Sequence, residues 1–365
     1  MKYLLLLFLS STISFSQISF EKVNQKTKKL IENYKTKEDL PGVAVSVSYN
    51  DTILFSEGFG YADLENRIKV EPSKTKFDIG SVTKTITICS LARLAELDSI
   101  KFEESIYKYL PELPHKGYDF TIAQLGAHLS GLQRDSSEEI FEPTCKLNKN
   151  NFFEYYKKDN QIYKPQTKYM YSNLGYKILG LVLEKKSGLE IEKCNKKLIF
   201  DILKLTNTHK DSIEFSDSSV SKLYLFERKN YNTLKGYSCE FKYGEGCFLS
   251  TSEDLIKFGN ALLFPEKLLK KETLVYLIKN QKTTDGKNTD YGIGFSSRKD
   301  ANGNYYYGHE GNWIGSRAFM YIYPKSKLVI TLLANRMMNS KKYNHIQIVP
   351  EVAKKYIDFL GRKTN

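Results

Sequence analysis

A chain of 365 residues carrying a formal net charge of +13 is long enough for one large domain or two ordinary ones, and its composition is that of a globular protein. The excess lysine is spread through every segment among Asp and Glu, whereas a nucleic-acid surface would gather Arg and aromatics on one element, so the charge argues against a nucleic-acid partner. The position that would complete His-Glu-x-x-His after His309 is Trp313, and neither a phosphate-binding Gly loop nor a Gly-x-Ser-x-Gly elbow is present; metal, nucleotide and α/β-hydrolase enzymes are set aside and no cofactor is implied.

The N-terminus reads Met1-Lys2, an apolar run from Tyr3 to Leu9, then Ser14-Phe15-Ser16 before Gln17, which is the charged, apolar, small-residue order of a secretory signal. Cleavage is expected after Ser16, with residues 17–365 exported to the periplasm or the medium. No later stretch is long and apolar enough to span a bilayer. In an oxidising compartment five cysteines leave at least one unpaired, and at most one bridge, Cys239 to Cys247, is expected.

Val23, Thr27, Leu30, Ile31 and Tyr34 recur at helical spacing, so a helix is expected over Glu21–Tyr34. A hairpin follows, with Val43, Val45 and Val47 alternating with small or polar residues, a turn at Asn50-Asp51 and a second strand from Ile53 to Phe55. Helices are expected over Thr83–Leu97, Thr121–Leu129, Asn173–Ser187 and Ser252–Leu263, with capping-box spacing at Thr121 and Gln124 and again at Ser250 and Glu253. Near the far end, Ala318–Tyr323 and Leu328–Leu333 read as strands joined at Pro324-Lys325-Ser326, and Ile346–Leu360 reads as a helix. The expected fold is α+β: an antiparallel β-sheet flanked by N- and C-terminal helices (about 17–75 and 285–365) with a mostly helical lobe (about 76–284) inserted, all one domain.

Ser81-Val82-Thr83-Lys84 follows Ile79-Gly80 and opens an apolar-faced helix, which puts Lys84 on the face of Ser81 one turn away. A serine hydroxyl needs a proton acceptor to become a nucleophile, and a desolvated lysine can be one. The same pattern occurs at Ser73, Ser105, Ser219 and Ser296, none with an apolar-Gly turn before it and a long apolar-faced helix after it. Taken alone, each motif favours a structural reading: Ser81 as a helix cap, Tyr171-Ser172-Asn173 as a tyrosine packing on a helix start that Asn173 caps, and His309-Glu310-Gly311 as a lone structural or merely exposed histidine. In a catalytic reading Tyr171 shares protons with an ammonium, Asn173 orients a substrate carbonyl, and Gly311 lets substrate backbone approach a strand edge.

In this order, Ser-x-x-Lys, Tyr-x-Asn and His-x-Gly resemble the motifs of the penicillin-recognising serine hydrolases. Gly58-Phe-Gly-Tyr-Ala-Asp63, Phe77-Asp-Ile-Gly-Ser-Val-Thr-Lys84, His128-Leu-Ser-Gly131, Gly246-Cys-Phe-Leu-Ser-Thr251 with Asp254-Leu255, and Leu333-Ala-Asn335 are similar to further landmarks of that family, across nearly all of the chain. Within it the chain resembles the class C β-lactamase, D-aminopeptidase and esterase branch, and the mitochondrial serine β-lactamase-like peptidase type. The resemblance implies a β-lactamase/transpeptidase-like fold, Ser81 as acylated nucleophile, Lys84 and Tyr171 as the proton shuttle, and Asn173 on the substrate amide. It also implies an oxyanion site at the backbone N–H groups of Ser81 and Asn312. A small peptide or ester is the implied substrate, and a non-catalytic binding or scaffold protein on the same fold is the alternative of another class. Where class C enzymes carry Lys-Thr-Gly this chain has His309-Glu310-Gly311, so a partly charged group replaces a permanent cation and Glu310 adds a negative charge; penicillins are expected to be poor substrates.

Overall fold

The computed structural model describes residues 2–134, 148–158, 163–211, 217–227, 230–234, 242–337 and 347–361, with side chains from Phe20 onward. A first helix, α1 (Lys2–Lys37), contains the expected amphipathic segment and also runs through the expected cleavage position. Strands β1 (Gly42–Tyr49), β2 (Thr52–Asp63) and β3 (Ile68–Lys69) follow. Short strands then punctuate the middle of the chain: β4 (Phe77–Asp78), β5 (His209–Lys210), the hairpin β6 (Tyr224–Glu227) and β7 (Asn230–Thr233), and β8 (Phe248–Ser250). The last four are β9 (Ser296–Lys299), β10 (Tyr305–Trp313), β11 (Ser316–Tyr323) and β12 (Leu328–Ala334).

Both ends of the chain build one antiparallel sheet, in the order β3-β2-β1-β12-β11-β10-β9. Val45 lies opposite Leu332 where β1 meets β12, so the two termini are stitched at the centre of the sheet. Alternation along β1 decides its faces. Val43, Val45 and Val47 pack with α1 and the C-terminal helix Ile348–Gly361. On the other face, Ser46 Oγ meets Ser252 Oγ at 2.8 Å and Ser48 donates to Asn260 at 2.7 Å. Small hydroxyls therefore let the helix Ser252–Leu263 lie close on the sheet while keeping buried polar groups paired.

The middle segment carries the other core, around α2 (Thr83–Glu96) and the helix Asn173–Ser187, but it is less purely helical than expected because β4, β8 and β5 form a small second sheet. The expected Thr121–Leu129 helix is shorter, Ile122–Gly126: the capping box of Thr121 and Gln124 forms, and the chain then turns at His128, whose φ is +60°. The second capping box is one residue out of place. Thr251 caps Ser252–Leu263 by accepting from the Asp254 N–H, while Ser250 belongs to β8 and pairs with Thr208 at 2.8 Å. Of the expected Cys239–Cys247 bridge, Cys239 lies outside the described residues and Cys247 is a buried thiol. Among the described residues no helix is long and apolar enough to cross a membrane.

Candidate active site

The turn Gly80–Val82 is pinned before α2 begins. The Ile79 N–H donates to the Phe248 carbonyl at 3.1 Å, and the Gly80 N–H donates to the Asp78 carboxylate at 2.7 Å. Gly80 has φ +47°, a left-handed conformation that favours glycine. No side chain caps α2, so Ser81 is not serving as a helix cap. Lys84, 0% exposed, donates from Nζ to Ser81 Oγ at 3.0 Å and to the Glu245 carbonyl at 2.9 Å. Its ammonium lies 5.1 Å from the ring centroid of Tyr171 and 5.3 Å from that of Tyr176. The Glu245 carboxylate is 3.7 Å from Lys84 but is taken more closely by Lys177, at 2.9 Å.

Tyr171 and Asn173 enter from the start of the helix Asn173–Ser187. Ser172, not Asn173, caps that helix by accepting from the Gly175 N–H, and this frees Asn173 to face the cleft with its Oδ1 buried and unpartnered. Burial pushes the Tyr171 phenol well above its ordinary range, and a hydrogen bond with Ser81 pulls the other way. The His128 ring packs 4.2 Å from the Tyr171 ring, and its Nδ1 accepts from the Ser172 N–H at 3.1 Å. One turn beyond Asn173, Lys177 is the residue that reaches Glu245.

Strand β10 forms the opposite wall. His309, 4% exposed, donates from Nδ1 to the Glu310 carbonyl at 2.6 Å, so its Nε2 accepts from the Tyr291 hydroxyl at 2.8 Å. Burial first, and the charge of Lys84 second, lower its pKa to about 3. This corrects the expectation of a partly charged histidine: His309 is neutral because its surroundings are dry and already basic. Glu310 is not a bare negative charge either, since Arg317 at 2.6 Å, Arg298 at 3.1 Å and the Tyr321 hydroxyl at 2.7 Å share it. Gly311 also differs from expectation. A Cβ there would sit 1.9 Å from the Ile79 carbonyl oxygen, so the backbone that comes close is the nucleophile's own turn. A Cβ on Gly80 would likewise lie 2.9 Å from the Asn312 backbone nitrogen. The two glycines thus bring the Ser81 turn against Asn312.

Ser81, Tyr171, Asn173, His309 and Asn312 all line a cleft of about 780 Å³, with Lys84 beneath it, so the sequence-selected residues converge. Elsewhere, Ser105 caps a 3₁₀ turn and Lys76 pairs with Asp217 at 2.6 Å, which occupies two of the competing Ser-x-x-Lys pairs structurally. Sequence reading missed Glu245, Lys177, Lys242 and Tyr291. Glu245 stands immediately before the Gly246–Thr251 stretch and could have been found there; the others belong to no local pattern. No group of three or more His, Cys, Asp or Glu side chains that could hold a metal occurs among the described residues.

The sequence family described as Beta-lactamase matches residues 27–350. The mitochondrial serine beta-lactamase-like protein LACTB of Homo sapiens is 24% identical over 400 aligned residues, covering 84% of this chain and 73% of that protein. Among solved structures, D-amino acid amidase from Ochrobactrum anthropi SV3, in complex with L-phenylalanine amide, superposes with a TM-score of 0.78 at 19% identity, over 94% of this chain and 100% of its own. EstCE1, a hydrolase with promiscuous acyltransferase activity, superposes with a TM-score of 0.76 at 14% identity, over 94% of this chain and 99% of its own. At those identities the two structures speak for the fold alone. The family match spans most of the sequence, and the chain belongs to the β-lactamase family of serine hydrolases, sharing its fold with an amidase and with a hydrolase that has acyltransferase activity.

Proposed function

We propose that residues 17–365 form a single serine hydrolase domain, exported by the segment 1–16, that cleaves peptides or esters through an acyl-enzyme on Ser81. The observation that carries this reading is the 3.0 Å contact between Lys84 Nζ and Ser81 Oγ at the floor of the cleft, with Lys84 wholly buried. In its neutral form Lys84 takes the Ser81 proton as Oγ bonds to the substrate carbonyl carbon. The resulting oxyanion is held by the backbone N–H groups of Ser81 and Asn312. Tyr171, with Lys84, passes the proton to the departing amine or alcohol, and the same pair then withdraws a proton from the water that hydrolyses the acyl-enzyme. No cofactor enters these steps.

Asn173 favours peptides over esters. Its buried, unpartnered oxygen is an acceptor that an amide N–H satisfies and an ester cannot, and an unfilled polar group in a site discriminates strongly. Neutral His309 supplies no cation for a β-lactam carboxylate, which would have to reach Arg134 or Arg298 at the cleft wall instead. Penicillins are therefore expected to be poor substrates, and efficient penicillin turnover by the purified protein would contradict this. The test is parallel hydrolysis of acyl-D-Ala peptides, D-amino-acid amides and short acyl esters by the wild type and Asn173→Leu. Amide cleavage should fall far more than ester cleavage in the variant; an equal fall in both would remove the preference.

A further inference from the structure

Lys242 belongs to none of the motifs, yet it is among the most confined charges in the molecule. It is 2% exposed, and its ammonium donates to Asp78 Oδ2 at 2.8 Å and to Asp211 Oδ2 at 3.2 Å. Burial works against its charge, but the two carboxylates outweigh it and hold the amine above the ordinary lysine range. The same ammonium lies 4.6 Å from the centroid of the Trp313 ring, a cation–π distance.

Its partners lead to the two backbone segments that meet at the nucleophile. Asp78 uses its other oxygen to accept the Gly80 N–H, one residue before Ser81. Trp313 is one residue after Asn312. Those segments are already in close contact at Gly80 and Asn312. A buried ion cluster replaced as a whole by apolar side chains often loses no stability, so folding alone is a weak reason for keeping Lys242 with Asp78 and Asp211. Oxyanion donors, by contrast, act only when held within about 0.5 Å of their working geometry.

We propose that Lys242 is a positioning residue that, through Asp78 on one side and the Trp313 ring on the other, fixes the Ser81 and Asn312 N–H groups in register as an oxyanion-binding pair. The proposal rests on the acyl-enzyme reading of Ser81. Its test compares Lys242→Met, Lys242→Arg and Asp78→Asn with the wild type in kcat, KM and affinity for a boronic acid that forms a tetrahedral adduct on Ser81. Misplacing the donors should lower kcat by about 10- to 100-fold in Lys242→Met with KM little changed, and weaken the boronate by a similar factor. Lys242→Arg should recover most of both. Should Lys242→Met fail to fold, because Asp78 and Asp211 are left unpaired, Asp78→Asn carries the test: it keeps an oxygen for Gly80 and drops the ion pair. Full kcat and boronate affinity in either folded variant, or a change in KM alone, overturns the positioning role while leaving the acyl-enzyme standing. A wild type whose Ser81 takes no boronate and no acyl group overturns both.

Discussion

On the nucleophile's side of the cleft, Lys84, Lys177 and Lys242 are buried against Glu245, Asp78 and Asp211. On the strand side, buried His309 is neutral and Glu310 is shared by Arg298 and Arg317. The difference separates two jobs. A lysine beside a hydroxyl can exchange a proton with it, so the first wall is suited to chemistry. A histidine hydrogen-bonded at both nitrogens, with a pKa of about 3, keeps one protonation state at neutral pH, so His309 is suited to holding the shape of the second wall.

The contrast breaks first at Lys84. Lys84→Ala should slow single-turnover acylation by about 10²- to 10⁴-fold, the usual worth of a positioned base; unchanged acylation would mean that the charged wall does no chemistry. Tyr171→Phe should cost less, about 10- to 100-fold, and mainly in turnover of the acyl-enzyme, because Lys84 keeps its 3.0 Å contact with Ser81 Oγ as an acceptor for the Ser81 proton. Burst kinetics with a chromogenic ester separate the two steps.

A third prediction sharpens the account of the strand wall. His309 falls from an ordinary 6.5 to about 3 in the folded protein, and burial lowers His128 in the same direction. Below pH 6.5 the unfolded chain takes up protons that the folded chain refuses, so stability must fall as pH falls through this window, by up to about 1.4 kcal/mol per pH unit for each histidine. Denaturant midpoints between pH 6.5 and 5 should decline less steeply for His309→Gln than for the wild type. An identical slope would mean that His309 is not buried neutral. The smallest effect belongs to neither wall: Thr251→Ala removes a helix cap and should lower stability by about 1 kcal/mol with kcat unaltered.

Local pattern made much of this legible. The alternation of Val43, Val45 and Val47, the apolar runs of β11 and β12 and the turn-then-helix around Ser81 each follow from a few neighbouring residues, and the structure places them as expected. The three motifs converge on one cleft although the sequence separates them widely. What escaped was long-range pairing. Asp78 reads as part of a strand-to-helix block and Lys242 as one lysine among many, until folding sets them 2.8 Å apart. Glu310 looked like an unpaired charge because Arg298 and Arg317 reach it across two neighbouring strands. Gly311 looked like a substrate contact because nothing local says that Ile79 packs on it. The misplaced cap at Ser250 is a subtler case: Ser250 and Thr251 offer equivalent hydroxyls, and the pairing of β8 with β4 keeps Ser250 in the strand.

The central claim is that Ser81 is an activated nucleophile, and the mass of the intact protein tests it most directly. The wild type and Ser81→Ala would each be incubated with a fluorophosphonate and a panel of acyl esters and then weighed. The account predicts an adduct on the wild type that is absent from the variant and strongly slowed in Lys84→Ala. Folded wild-type protein that gains no mass from any reagent, or a Ser81→Ala variant labelled as fast as the wild type, would contradict it.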